Sequence, residues 1–189
     1  MTLLQGLLCA VAILLQATAP IGTEVDTPVD RVADALAAGE AATIDGNSMA
    51  LVSAARRLDR LAAHPAERED DLATRWRLQG LSPGAKDIVV PTRGRTLGPA
   101  YRSGNLAAGG RVEIEQIFFG GEAAVIVVVP QTRRSLQISV SDHRGKQICD
   151  QIVISPKTSC RWLPIFTTRF RISVINLGVS SVRYYVVSN

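Results

Sequence analysis

The sequence predicts an α+β chain in which an N-terminal helical segment precedes an antiparallel β-sandwich. Three observations carry this expectation. Residues 27–79 place apolar side chains at helical spacing, whereas from residue 111 to the end short runs alternate apolar and polar residues between turn signals. Within that second region the run at 123–129, AAVIVVV, is too short for a helix or a membrane span and suits a strand covered on both faces.

The N-terminus, MTLLQGLLCAVAILLQATAP, has an apolar core from Leu7 to Leu15 followed by Ala17-Thr18-Ala19, the small-x-small pattern of an export signal. Residues 1–19 are accordingly read as a signal peptide and the protein as exported, to the periplasm or the cell exterior. The lack of Lys or Arg before the apolar core, and Pro20 after the cleavage position, leave cleavage after Ala17 or an uncleaved anchor as alternatives.

The helical segment spans 27–79. Thr27-Pro28 supplies an N-cap and a first-turn proline, Val29, Val32, Ala33, Leu36 and Ala37 share one face, and Gly39 is expected to end the helix. A second helix is expected over 48–64, stopped by Pro65. A third is expected from about Ala66, with Glu67, Glu69, Asp70 and Asp71 in its first turn and Leu72, Trp76 and Leu78 on its apolar side. Alanine-rich helices this short bury little alone and need a surface to pack on.

Residues 80–110 shift to Gly, Pro, Arg and polar residues and read as a connection. Arg93, Arg95 and Arg102 interleave there with Gly94 and Gly98, so forked donors stand beside backbone that a ligand can approach closely. They form a candidate anion-binding set. The spacing matches neither a Walker A loop nor a dinucleotide fingerprint, and the competing structural reading is a strap anchored by Leu97 and Tyr101.

The β-sandwich domain is expected over 111–189. Strands are read at both sides of Gly120-Gly121, then over 135–141, 147–154, 159–163, 168–176 and 182–187, with Asp142-His143-Arg144-Gly145 as a hairpin turn. Seven short strands separated by turns read as an antiparallel sandwich. Its alternation looks self-sufficient, so a fragment from Gly80 to Asn189 is expected to fold without the helices.

Cys149 and Cys160 form an even pair in a chain bound for an oxidising compartment, so a disulfide is expected. Charge divides along the chain: residues 20–80 carry seven basic and eleven acidic side chains, and 81–189 carry fourteen and six. Opposite signs in the two halves suggest that they dock; a second reading sends the basic half to an acidic partner.

The order FxGGE at 118–122, VxVVV at 125–129, LxISVSDxxG at 136–145, Ile148-Cys149, Cys160-Arg161-Trp162, FRISVINLG at 170–178 and Tyr184-Tyr185 resembles the bacterial pre-peptidase C-terminal domain. The resemblance covers about 111–189. It implies a jelly-roll-like sandwich, a secreted setting and a non-catalytic role in localisation or ligand binding. Where many relatives carry an Asp-rich run, this chain has Gln131-Thr132-Arg133-Arg134, which removes the oxygen ligands that a calcium site needs.

Enzymatic signatures are not found. His64 and His143 are the two histidines, and no Gly-x-Ser-x-Gly, HExxH or paired-carboxylate motif accompanies them. Asp142 beside His143 is the nearest thing to part of a triad. No cofactor or metal is implied, and export together with singly spaced arginines argues against nucleic acid. The expectation is an exported, non-enzymatic module for interaction, localisation or envelope structure, with an envelope protein, an acidic glycan or an anionic lipid surface as candidate partners. The alternative is a diverged secreted hydrolase or an accessory domain of one, which a partly buried cluster of His143, Asp142 and a serine would favour.

Overall fold

The computed structural model describes residues 26–81, 98–131, 136–153 and 156–189. The expected signal peptide therefore lies outside the described residues, as does most of the connection. Three helices come first: α1 (Pro28–Ile44), α2 (Ser48–Arg60) and α3 (Leu72–Gly80). Thr27 and Asp30 close a capping box on α1, while Asn47 and Asp71 cap α2 and α3 through their side-chain oxygens.

Each helix departs from the sequence expectation at one end, for a tertiary reason. Gly39 does not stop α1, which continues to Ile44. A Cβ at Gly39 would lie 2.3 Å from the Trp76 ring, so the glycine admits the indole of α3 against the backbone of α1. Helix α2 ends at Arg60 rather than at Pro65, because the chain turns through Ala62 at φ +52°. His64–Pro65 then forms a two-residue strand, β1, and does not cap a helix. Glu67, Glu69 and Asp70 precede α3 instead of lying in its first turn. Glu69 is used elsewhere, accepting from the Ser103 backbone N–H at 3.1 Å.

Eight further strands follow: β2 (Ala100–Leu106), β3 (Arg111–Phe118), β4 (Ala124–Pro130), β5 (Leu136–Asp142), β6 (Gln147–Val153), β7 (Thr158–Trp162), β8 (Thr168–Asn176) and β9 (Val182–Ser188). Strand β2 lies inside the segment read as a connection, so the sheet starts earlier than residue 111. Its Ser, Gly and Asn are poor strand formers. Pairing along its whole length with β9, from Ala100 opposite Ser188 to Leu106 opposite Val182, overrides that preference.

The sheets run β1-β2-β9-β4-β7 and β3-β8-β5-β6. Apart from the parallel β1–β2 bridge, every pairing is antiparallel. From β2 onward only β5 and β6 are both consecutive and paired among the described residues; every other connection crosses between sheets, which is jelly-roll topology. The fold is thus α+β, three helices followed by a jelly-roll sandwich. The β5–β6 hairpin turns as expected, with the Gly145 N–H donating to Asp142 O at 3.0 Å and Gly145 at φ +81°.

Strand β4 is buried along its whole length. Ala124, Ile126 and Val128 enter the core between the sheets, whereas Val125, Val127 and Val129 enter a second core with the helices. Tyr101, Tyr185 and Val187 join those valines beneath Leu36, Leu58 and Trp76. One face of the larger sheet is thus apolar and covered by the helices, and a fragment without them would expose that face.

Three acidic residues of α1 reach basic residues of the sandwich. Asp30 meets Arg161 at 2.7 Å, Asp34 meets Lys157 at 2.7 Å, and buried Glu40 lies 3.7 Å from Arg183 while accepting from Tyr185 and Gln131. Burial alone would raise the Asp30 carboxyl, but hydrogen bonds from Thr27 and Arg161 outweigh it and hold that group below the usual carboxylate range. The opposite charges of the two halves meet at this docking seam.

Candidate functional site: the loop end of the sandwich

Strand register places the β3–β4, β5–β6 and β7–β8 connections, the start of β2 and the C-terminal Asn189 at one end of the jelly roll. Beneath these loops Phe118, Trp162 and Phe170 form an aromatic layer, with ring centroids 4.9, 5.2 and 5.9 Å apart in edge or tilted contact. Trp162 thus packs among core aromatics, on the same face of β7 as Cys160.

Above this layer the next residues point outward. Phe119 follows Phe118, and Leu163, Ile165 and Phe166 follow Trp162; their exposures are 62%, 65%, 83% and 77%. Ile117 adds a fifth large apolar side chain at the end of β3. Isolated exposed apolar residues are ordinary, but four in adjoining loops with Ile117 at the strand end beside them make a patch of the kind that marks a contact surface.

The loops are fastened to each other by backbone hydrogen bonds. The Gly121 N–H donates to Pro164 O at 2.8 Å and the Gly120 N–H to Thr167 Oγ1 at 3.0 Å. A Cβ at Gly120 would lie 2.8 Å from the Phe166 backbone, so glycine is what allows the two loops to touch. The β5–β6 turn joins them, with His143 Nδ1 3.3 Å from Thr168 Oγ1.

Beside the patch, between the start of α1 and the ends of β3 and β4, lies a cavity of about 590 Å³. Pro28, Val29, Ile117, Phe119 and Ala123 give it a largely apolar lining, with Glu122 and Asn189 as polar groups.

Asp142 and His143 stand at the same end in a different role. Asp142 Oδ1 accepts from the backbone N–H groups of Arg144 at 2.8 Å and Lys146 at 2.9 Å. Those bonds, the Lys146 amide foremost, hold its carboxyl below the usual range. Exposed His143 lies 3.3 Å from both Thr168 Oγ1 and the Arg144 guanidinium. The two side chains stabilise a turn rather than activating a serine, so the arrangement that would favour a hydrolase is not formed by them. Among the described residues no three His, Cys, Asp or Glu side chains are grouped to hold a metal ion.

Of the candidate anion-binding residues, Arg93 and Arg95 lie outside the described residues. Arg102, on β2, lines a cavity of about 230 Å³ at the open edge of the sandwich with His64, Glu67, Gln116 and Ser188. Tyr101 is buried and accepts from the Leu72 N–H at 3.0 Å, tying β2 to α3. The Sγ atoms of Cys149 and Cys160 are at bonding distance, with Cα atoms 5.9 Å apart. This bridge joins edge strand β6 of one sheet to edge strand β7 of the other, stapling the two layers of the sandwich.

The exposed loop residues carried a weak sequence signal: Leu163-Pro164-Ile165-Phe166 is apolar around a proline and does not alternate. A strand would hide such residues in pairs; a proline loop between two strands leaves them outside.

No family model matches the chain, and no curated protein matches it. Among solved structures it is similar to the Yersinia pseudotuberculosis-derived mitogen, at 12% identity and TM-score 0.40, over 49% of this chain and 85% of that one. It is similar also to the pre-peptidase C-terminal domain of a Bacillus anthracis collagenase, at 8% identity and TM-score 0.40, over 47% and 87%. A third is the Aeromonas hydrophila PliG, a periplasmic inhibitor of g-type lysozyme, at 12% identity and TM-score 0.36, over 48% and 84%.

Proposed function

We propose that this protein is an exported, non-enzymatic β-sandwich module, built on the pre-peptidase C-terminal plan, that contacts an envelope component through the loop end of its jelly roll. The observation that carries the reading is the set of four large apolar side chains held outward by loops that are hydrogen-bonded to one another. Contact surfaces benefit from such pre-ordering, because little conformational freedom is lost when a partner arrives. The inter-sheet disulfide supports an oxidising compartment, in keeping with the reading of residues 1–19 as a signal peptide. Asp142 and His143 are engaged in holding a turn, so these two side chains do not support the hydrolase alternative.

The test is sedimentation of the full chain with isolated cell envelopes. The triple variant Phe119→Ser, Ile165→Ser, Phe166→Ser is expected to stay folded and to lose association. Equal association of a folded triple variant and the parent chain would overturn the reading. Fractionation and alkylation check export: the protein should be periplasmic or extracellular with Cys149 and Cys160 unavailable to alkylating reagent.

A further inference from the structure

The same loop end carries basic residues beside its apolar tips, and this combination narrows the partner. The β5–β6 turn presents exposed Arg144 and Lys146 next to the β7–β8 loop, to which it is joined by the His143–Thr168 contact. Arg169 stands at the start of β8, paired to Glu115 at 3.1 Å. The acidic groups facing the same end are Glu115, Glu122 and Asp142, with Asp26 just before α1; Glu115 is paired to Arg169, Asp26 lies 3.7 Å from Arg31, and the Asp142 carboxylate is turned into the hairpin amides.

We infer that the loop end docks on the surface of an anionic lipid bilayer, with Phe119, Leu163, Ile165 and Phe166 entering the headgroup–acyl boundary and Arg144 and Lys146 meeting lipid phosphates. The inference rests on the contact role proposed above and names its partner. Two features favour lipid over a folded protein. Side chains exposed to the extent of Ile165 and Phe166, 83% and 77%, stand clear of their neighbours and enter a fluid layer without a shaped pocket opposite them. Flanking cations add attraction to an anionic surface, which amphipathic interfacial segments also use.

The opposite end supplies the control. There the β8–β9 connection carries Val179, 94% exposed. In the full chain, tryptophan is placed by Ile165→Trp in one variant and Val179→Trp in another, and each is mixed with vesicles of phosphatidylcholine containing phosphatidylglycerol and brominated acyl chains. Quenching and a blue shift are expected for Ile165→Trp relative to the parent chain, and neither for Val179→Trp. Vesicle affinity should fall on the order of a hundredfold in the triple variant Phe119→Ser, Ile165→Ser, Phe166→Ser. It should fall about fivefold for each of Arg144→Ala and Lys146→Ala, and should weaken with salt. Equal quenching at positions 165 and 179 would show that the N-terminal stretch alone inserts, and would overturn the inference. Envelope association that depends on the tips, without binding to protein-free vesicles, would also overturn it while leaving the contact role intact and pointing to a protein or glycan. Loss of neither kind of binding in the triple variant would defeat both.

Discussion

The two cores on either side of β4 are built differently. Between the sheets, Leu136, Ile138, Val140, Ile172, Val174 and the Phe118–Trp162–Phe170 layer interlock, and a disulfide staples the edge. Between sheet and helices, Ala33, Ala35, Ala42, Ala54, Ala55 and Ala73 bring the backbones close on the helical side, and Leu36, Leu51, Leu58, Leu72 and Trp76 fill the space over Tyr101, Tyr185 and the valines of the sheet. Small residues allow close approach but remove little apolar area each. The helical layer consequently depends on its leucines and Trp76 and on polar contacts at its seam, whereas the inter-sheet core adds an aromatic layer and a disulfide. Yet both cores draw on the same strand, so neither is independent of the other.

That dependence is broken most severely by deletion. A chain running from Gly98 to Asn189 would expose Tyr101, Val125, Val127, Val129, Tyr185 and Val187 on one face of the larger sheet. It is expected to be insoluble, or to bind hydrophobic dyes and melt without a cooperative transition, measured by calorimetry beside the full chain. A soluble, cooperatively melting fragment would show that the helices only decorate the sandwich.

Trp76→Ala removes the largest side chain of the helical core and leaves a void over Gly39, at an expected cost of about 3–5 kcal/mol by chemical denaturation. If the cores are coupled through β4, the variant unfolds in one transition. Two transitions would mark the helices as a separate folding unit.

The disulfide tests the other side. Replacing both Cys149 and Cys160 by serine should cost about 2–3 kcal/mol, as expected for a loop of this length, and should leave the helical core's tryptophan environment unchanged in the folded state.

The smallest effect concerns the seam. Arg161→Met should cost about 1.5 kcal/mol at neutral pH by leaving buried Asp30 with Thr27 as its remaining partner in the capping box. Because the Asp30 carboxyl is held below its ordinary value of 3.8, its contribution is present above that pH and is lost as pH falls through the folded value. The stability of the variant should thus approach that of the parent chain as the solution is acidified. Burial raises the hydroxyls of Tyr101 and Tyr185 above their ordinary value of 10, so the parent chain should lose stability as pH climbs past about 10, where the unfolded chain ionises first.

What the sequence determined by itself were the features with a local physical cause. The N-cap at Thr27 with Pro28 after it, the alternation over β5 and β8, the Asp142–Gly145 turn and the unbroken apolar run of β4 each follow from nearest-neighbour chemistry. Only the tertiary structure decided the rest. Gly39 reads as a helix stop until Trp76 is seen lying over it, and β2 reads as a connection until β9 supplies its ladder. The loop-end patch was illegible for the same reason: Phe119 and Ile165 lie 46 positions apart, and only the crossing connections of the jelly roll carry their loops to one end. A local pattern records which side chains are apolar, but which of them remain outside depends on what the rest of the chain has already covered.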